Sequence, residues 1–153
     1  MNNYQRLLLV AMLIVGAGTL CRSQNSGFGL GVVVGEPTGI SFKNWTSSRN
    51  AVAGGIAWSV SKDASFHLHA DYLWHSYDAI QSKEPFVLYY GVGGRFKAIS
   101  GNGRLGGRGV FGIGYLFRDA PFDLFLEAVP ILDIIPEIGL GLNAGLGARY
   151  FFK

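Results

Sequence analysis

From Gly27 onward, apolar residues alternate with small or polar ones at period two, and turn signals interrupt the pattern at short intervals. Such alternation marks a strand with two unlike faces, and a succession of short runs of this kind reads as an all-β sandwich or barrel. The pattern predicts eight strands: 27–35, 40–45, 51–60, 65–75, 86–98, 108–117, 122–129 and 139–152. In the first, Phe28, Leu30, Val32 and Val34 share one face and Gly27, Gly29, Gly31 and Gly35 the other. In the fourth, Phe66, Leu68, Ala70, Tyr72 and Trp74 oppose His67, His69, Asp71 and His75. Between the strands, 36–39, 46–50, 61–64 and 118–121 read as turns, 76–85 as a polar connection and the Gly-rich 100–107 as a loop.

Size decides which face points outward. An eight-stranded barrel has an interior just wide enough for side chains to fill it. The Phe, Leu, Tyr and Trp of every strand would overfill that space, whereas Gly, Ala and Ser with scattered charges fit. The bulky face then points outward, where lipid accepts it, and closure satisfies every backbone group, as a bilayer requires. The expected fold is therefore all-β: an eight-stranded antiparallel up-and-down transmembrane β-barrel.

The aromatic residues offer a second line. With the N-terminus of the barrel on the periplasmic side, Tyr72 and Trp74, Tyr115 and Phe117, and Tyr150 and Phe152 all end descending strands at one level, where Phe28, Phe86 and Phe122 begin ascending ones. That is the girdle expected at a membrane boundary. The same count puts 76–85 on the periplasmic side, where turns are usually short. It leaves short outer turns at 36–39 and 61–64. Either the outer loops are small, or part of 76–85 extends its flanking strands, or the strand count is off.

Composition changes the picture at the N-terminus. Arg6 precedes an apolar run, Leu7 to Leu20, too short to span a bilayer, and Cys21-Arg22-Ser23 places small residues for cleavage before Gln24. Residues 1–23 read as a signal peptide and 24–153 as the barrel. Cys21 is the single cysteine of the chain, so its removal would exclude disulfide and thiol chemistry from the mature protein. Loss of Arg6 and Arg22 would also lower the formal net charge of +3 to +1, which removes any argument for nucleic acid as a partner. The 23 glycines follow no collagen-like period and need a structural reason.

The last segment, GLNAGLGARYFF, resembles the C-terminal strand signal of outer-membrane proteins, although Lys153 follows the final aromatic. GEPTGISFKNW, LHADYLW, YYGVGGRFK and DLFLEAVP resemble segments of small uncharacterised bacterial outer-membrane β-barrel proteins, similar in kind to the membrane domain of OmpA and to OmpW. The resemblance implies fold and location: the bacterial outer membrane, with lipid including lipopolysaccharide as surroundings and the barrel-assembly machinery as the partner during insertion. It carries no active residues to transfer.

The inward charges are the most informative residues. Lys43, Asp71, Arg95, Lys97, Arg108, Asp123, Glu127 and Arg149 fall on the lumen face, with Glu36 at its rim and His67, His69 and Asn143 as further lumen polar groups. Buried charges must be paired or hydrated. Glu127 and Arg149, at similar depth on neighbouring strands, are expected to pair, with Asp71 joining across the lumen; Arg95, Lys97 and Arg108 crowd the outer half near Glu36. The leading expectation is a structural barrel with a polar, salt-bridged, largely closed lumen and no catalysis or cofactor. A narrow channel or transporter for small or apolar solutes is the alternative, and a lipid-modifying enzyme the second. His67, His69 and Asp71 alternate on one face at a spacing that suits a metal, but His75, placed at the rim, is the one further ligand in reach. His75-Ser76 adjacency does not bring nucleophile and base to one face. The Gly-rich stretches lead into strands rather than helices and so are not phosphate loops.

Overall fold

The computed structural model describes residues 25–59 and 65–152. The expected signal peptide, Val60, the turn at 61–64 and Lys153 lie outside the described residues. The described residues form eight strands: β1 Phe28–Gly35, β2 Gly39–Trp45, β3 Asn50–Ser59, β4 Ser65–Ser76, β5 Phe86–Ile99, β6 Asn102–Leu116, β7 Phe122–Ile135 and β8 Gly139–Phe152. Each pairs antiparallel with the next, and β8 closes on β1, with Phe28 opposite Phe152 and Gly35 opposite Gly145. The result is a closed eight-stranded barrel.

The alternation read from the sequence sets the two surfaces. Phe28, Leu30, Val32, Leu68, Tyr90, Phe111, Leu126 and Leu146 stand exposed on the outside, and Lys43, Asp71, Arg95, Arg108, Asp123 and Arg149 are buried inside. The interior is less polar than expected. Val33, Leu73, Tyr89, Val110, Phe125, Val129 and Ile131 also point inward and form a buried apolar cluster, and Trp45, Ala51 and Phe151 form a second at the end of the barrel where β1 begins and β8 ends.

Two elements differ from the pattern reading. The segment 100–107 is not a loop: β5 and β6 join through a two-residue turn in which Ser100 and Gly101 both have positive φ, at 47° and 85°. This is the geometry that matches the twist of a hairpin, so Gly103, Gly106 and Gly107 belong to β6. Strand β7 does not stop at Val129 but runs to Ile135. Pro130 reads as a strand terminator because it cannot donate to a ladder. Here it sits on the outer face in the interval where the β6 pairing lapses, between Phe111 opposite Ala128 and Arg108 opposite Ile131.

The connection 77–85 is a true connection, and Ser76 alone of the segment extends β4. It straps one end of the barrel. The Tyr77 hydroxyl donates to Ser48 O at 2.8 Å, Arg49 meets Asp78 at 3.4 Å, Arg118 Nη2 donates to Lys83 O at 2.6 Å and the Tyr115 hydroxyl donates to Glu84 Oε2 at 3.0 Å. Phe28 and Phe152 lie at this same end, called the terminal end below. The far rim carries the turns 36–38, 100–101 and 136–138.

Candidate functional site in the barrel lumen

The lumen is built from one repeated device. Where a bulky or charged side chain points inward, its register partner on the next strand is often glycine, and the side chain lies across that glycine to meet a group two strands away. At one level of β4, β5 and β6 stand Asp71, Gly93 and Arg108; Arg108 Nε lies 2.9 Å from Asp71 Oδ1, a contact whose angle falls short of a hydrogen bond. One level outward on β5, β6 and β7 stand Arg95, Gly106 and Asp133. Arg95 Nε donates to Asp133 Oδ1 at 3.0 Å and Nη2 to Oδ2 at 2.7 Å. Towards the terminal end, Tyr89, Gly112 and Glu127 repeat the pattern, with the Tyr89 hydroxyl donating to Glu127 Oε1 at 2.8 Å.

The fourth instance crosses the β1–β8 seam. Arg149 on β8 reaches over Gly31 of β1 to Ser41 Oγ of β2 at 3.5 Å, while its Nε and Nη2 donate to both oxygens of Asp123, its own partner on β7, at 3.1 Å each. Lys43 Nζ adds a second cation 3.9 Å from Asp123 and lies 4.2 Å over the Trp45 ring. Arg149 in turn covers the Phe125 ring at 3.9 Å.

The glycines are the reason these contacts exist. A β-carbon on Gly106 would stand 2.6 Å from Asp133 Oδ1, and one on Gly93 would collide with Asp71 Oδ1 and the Ala70 carbonyl. One on Gly112 would run into the Tyr89 ring, and one on Gly147 into the ring of Phe125. A barrel this narrow fills its interior by setting large residues against small ones.

This geometry corrects four expectations. Glu127 does not pair with Arg149; it accepts from Tyr89, and Asp123 takes the arginine. Asp71 does not join that pair but faces Arg108. Arg95 is held not near Glu36 but by Asp133, which lies beyond the expected end of β7 at Val129. His75 is not at the rim: it is buried between the rings of Trp45, 4.3 Å away, and Tyr89, 5.3 Å away, with Nδ1 3.0 Å from Arg49 O. Glu36, by contrast, is exposed on the β1–β2 turn.

The polar residues of the outer half are arranged differently. The His67 and His69 rings meet edge to face at 5.4 Å, and His69 Nε2 is 4.0 Å from Asp71 Oδ2. Among the described residues no group of three or more His, Cys, Asp or Glu side chains is gathered for a metal. A cavity of about 360 Å³ opens here, lined by Glu36, Pro37, Thr38, Ala57, Trp58, Ser65, His67, Lys97 and Asn143.

On the outside, the aromatic residues of the terminal end touch in series. Tyr72 meets Trp74 at 5.0 Å, and Trp74 stacks on Tyr90 at 5.8 Å. Phe86 meets Tyr115 at 5.2 Å and Tyr115 meets Phe117 at 4.9 Å; Phe122, Tyr150 and Phe152 form a third run at 5.1 and 5.0 Å. Tyr90 is the member that strand ends alone do not point to, because it lies four residues after the start of β5, on the Trp74 register position. No protein-family model, curated protein or solved structure matches this chain.

Proposed function

We propose that the protein is a structural barrel of the bacterial outer membrane, exported with a cleaved signal peptide, whose lumen is closed by side chains and whose surroundings are lipid and lipopolysaccharide. The observation that carries this reading is the outer wall. Every strand turns large apolar residues outward, and rows of touching aromatic rings cross one end of that wall. A water-facing protein rarely exposes one contiguous apolar surface of that extent, whereas a bilayer accepts it and the closed hydrogen-bonded wall suits the same solvent. The resemblance of the terminal strand to outer-membrane insertion signals belongs to the same reading, with the barrel-assembly machinery as the partner during insertion.

The interior supports a structural role over a conduit. Ion pairs and apolar side chains from all eight strands meet across the lumen, with Arg149, Lys43 and Asp123 each 1 % exposed. The test is expression with the native N-terminal segment in a Gram-negative host. The mature chain is expected in the outer-membrane fraction, losing residues 1–23, and to migrate faster on a detergent gel before boiling than after. The refolded protein is expected to give no conductance in planar bilayers. Recovery as a soluble protein would sink the membrane assignment; steady ohmic conductance would sink the closed lumen and favour the transport alternative.

A further inference from the structure

Beyond closing the lumen, the outer half holds a level where the glycine device stops. His67, Lys97 and Arg104 occupy one register position on β4, β5 and β6, side by side on the inner face, with no glycine between them. Adjacent strands are roughly 4.8 Å apart, and like charges placed directly opposite one another are unfavourable. The acid nearest this row, Asp133, already takes two hydrogen bonds from the Arg95 Nη2 and a third from its Nε; Arg104 reaches it only at 3.8 Å. His67 is 4 % exposed, and its Nε2 has no hydrogen-bond partner. On the other side of His67 the row continues through Ala57 and Gly39, whose small size leaves the cavity of about 360 Å³ open beside the histidine and Lys97.

We propose that this rim cavity is a binding site for a phosphate-type oxyanion, with Lys97 as the charged donor and His67 Nε2 as the buried one. A polyanionic group held by Lys97 and His67 also offsets the repulsion between Lys97 and Arg104 on the adjacent strand, and hydrogen bonds from cations to phosphate are the strong ones. Ser65 and Asn143 line the same cavity and can add neutral hydrogen bonds, while Glu36 on the lip opposes an anion and limits affinity. The inference concerns the lumen and stands whether or not the outer wall faces lipid. The phosphate group could belong to a soluble molecule entering from the rim or to a lipid headgroup beside it.

The experiment is calorimetric titration of the refolded, detergent-solubilised mature barrel. The first probe is inorganic phosphate; the second is bisphosphorylated lipid A in mixed micelles, set against dephosphorylated lipid A. Lys97→Gln and His67→Gln, at positions outside the glycine-bridged pairs, are checked for folding by heat-dependent gel migration. Binding of either probe is expected to weaken by about tenfold in Lys97→Gln, the loss of one charge-assisted hydrogen bond, and Glu36→Gln is expected to tighten it several-fold. Binding of phosphate in the absence of lipid assigns a soluble ligand. Binding of phosphorylated lipid A alone assigns a headgroup. Failure of both probes to bind the wild type, equal binding by folded Lys97→Gln, or weaker binding by Glu36→Gln would each overturn the proposal.

Discussion

Asp71 and Arg108 stand on strands that are not neighbours, and they come within 2.9 Å because the residue between them at that level is Gly93. The same relation joins Arg95 to Asp133 over Gly106 and Tyr89 to Glu127 over Gly112. The glycines of this chain are thus part of its ion pairing.

Replacing Gly93 or Gly106 by alanine is expected to destabilise the barrel by about 3 kcal/mol, since the new methyl both overpacks the lumen and pushes a buried charge off its partner. Gly139 has an ordinary φ and nothing within 4 Å of a β-carbon, so Gly139→Ala is expected to change stability by less than about 0.5 kcal/mol. Urea unfolding midpoints of the three variants in one detergent check this. Equal midpoints would refute the bridging role.

The Asp123–Arg149 pair is fully buried and doubly hydrogen-bonded. Asp123→Asn or Arg149→Met alone leaves a charge in a closed interior and is expected to cost about 3–5 kcal/mol. The double variant is expected to cost clearly less than the sum, because both charges leave together. A double-mutant cycle from unfolding curves measures the difference, and strict additivity would show that the two residues act separately.

Asp133 separates a buried partner from an exposed one. Arg95 holds it with short hydrogen bonds inside the lumen, whereas the Arg104 side chain is 54 % exposed and 3.8 Å away. Arg95→Ala is expected to lower stability by about 3 kcal/mol, and Arg104→Ala by no more than about 0.5 kcal/mol. If thermal unfolding ranks them the other way, Arg104 is the true counter-ion.

Leu126 tests what surrounds the wall. It is exposed midway along β7, between Leu124 and Ala128 on the outer face. If the wall faces lipid, Leu126→Lys is expected to cost about 2–4 kcal/mol for barrels folded into bilayers. On a water-facing wall the same change lies within about 0.5 kcal/mol. Folding equilibria in phospholipid vesicles distinguish the two.

The strand number, the identity of the two faces and the existence of an inward charge set were legible because they depend on alternation, which one chain carries locally. The level at which each inward residue sits was not. Alternation shows that Glu127, Arg149 and Asp123 share a face, but the partner of Arg149 is decided by the β7–β8 register, which sets Asp123 and not Glu127 opposite it. Asp133 lies beyond the legible strand for a local reason: Pro130 imitates a strand end, and it is unbroken pairing on the β8 side that carries β7 through it until the β6 pairing resumes at Ile131. The Gly-rich 100–107 imitated a loop because glycine is as common in turns as beneath a crossing side chain.

The sequence by itself determined an all-β chain whose bulky residues share one face and whose glycines and charges share the other, since side-chain direction along a strand follows from position parity alone. Closure of β8 on β1 and the pairing of Asp71, Arg95 and Arg149 were decided only by the tertiary structure. So were the burial of His75 between two rings and the row His67, Lys97 and Arg104 at the rim. These depend on how far each strand is shifted against its neighbour, a quantity that no single strand contains.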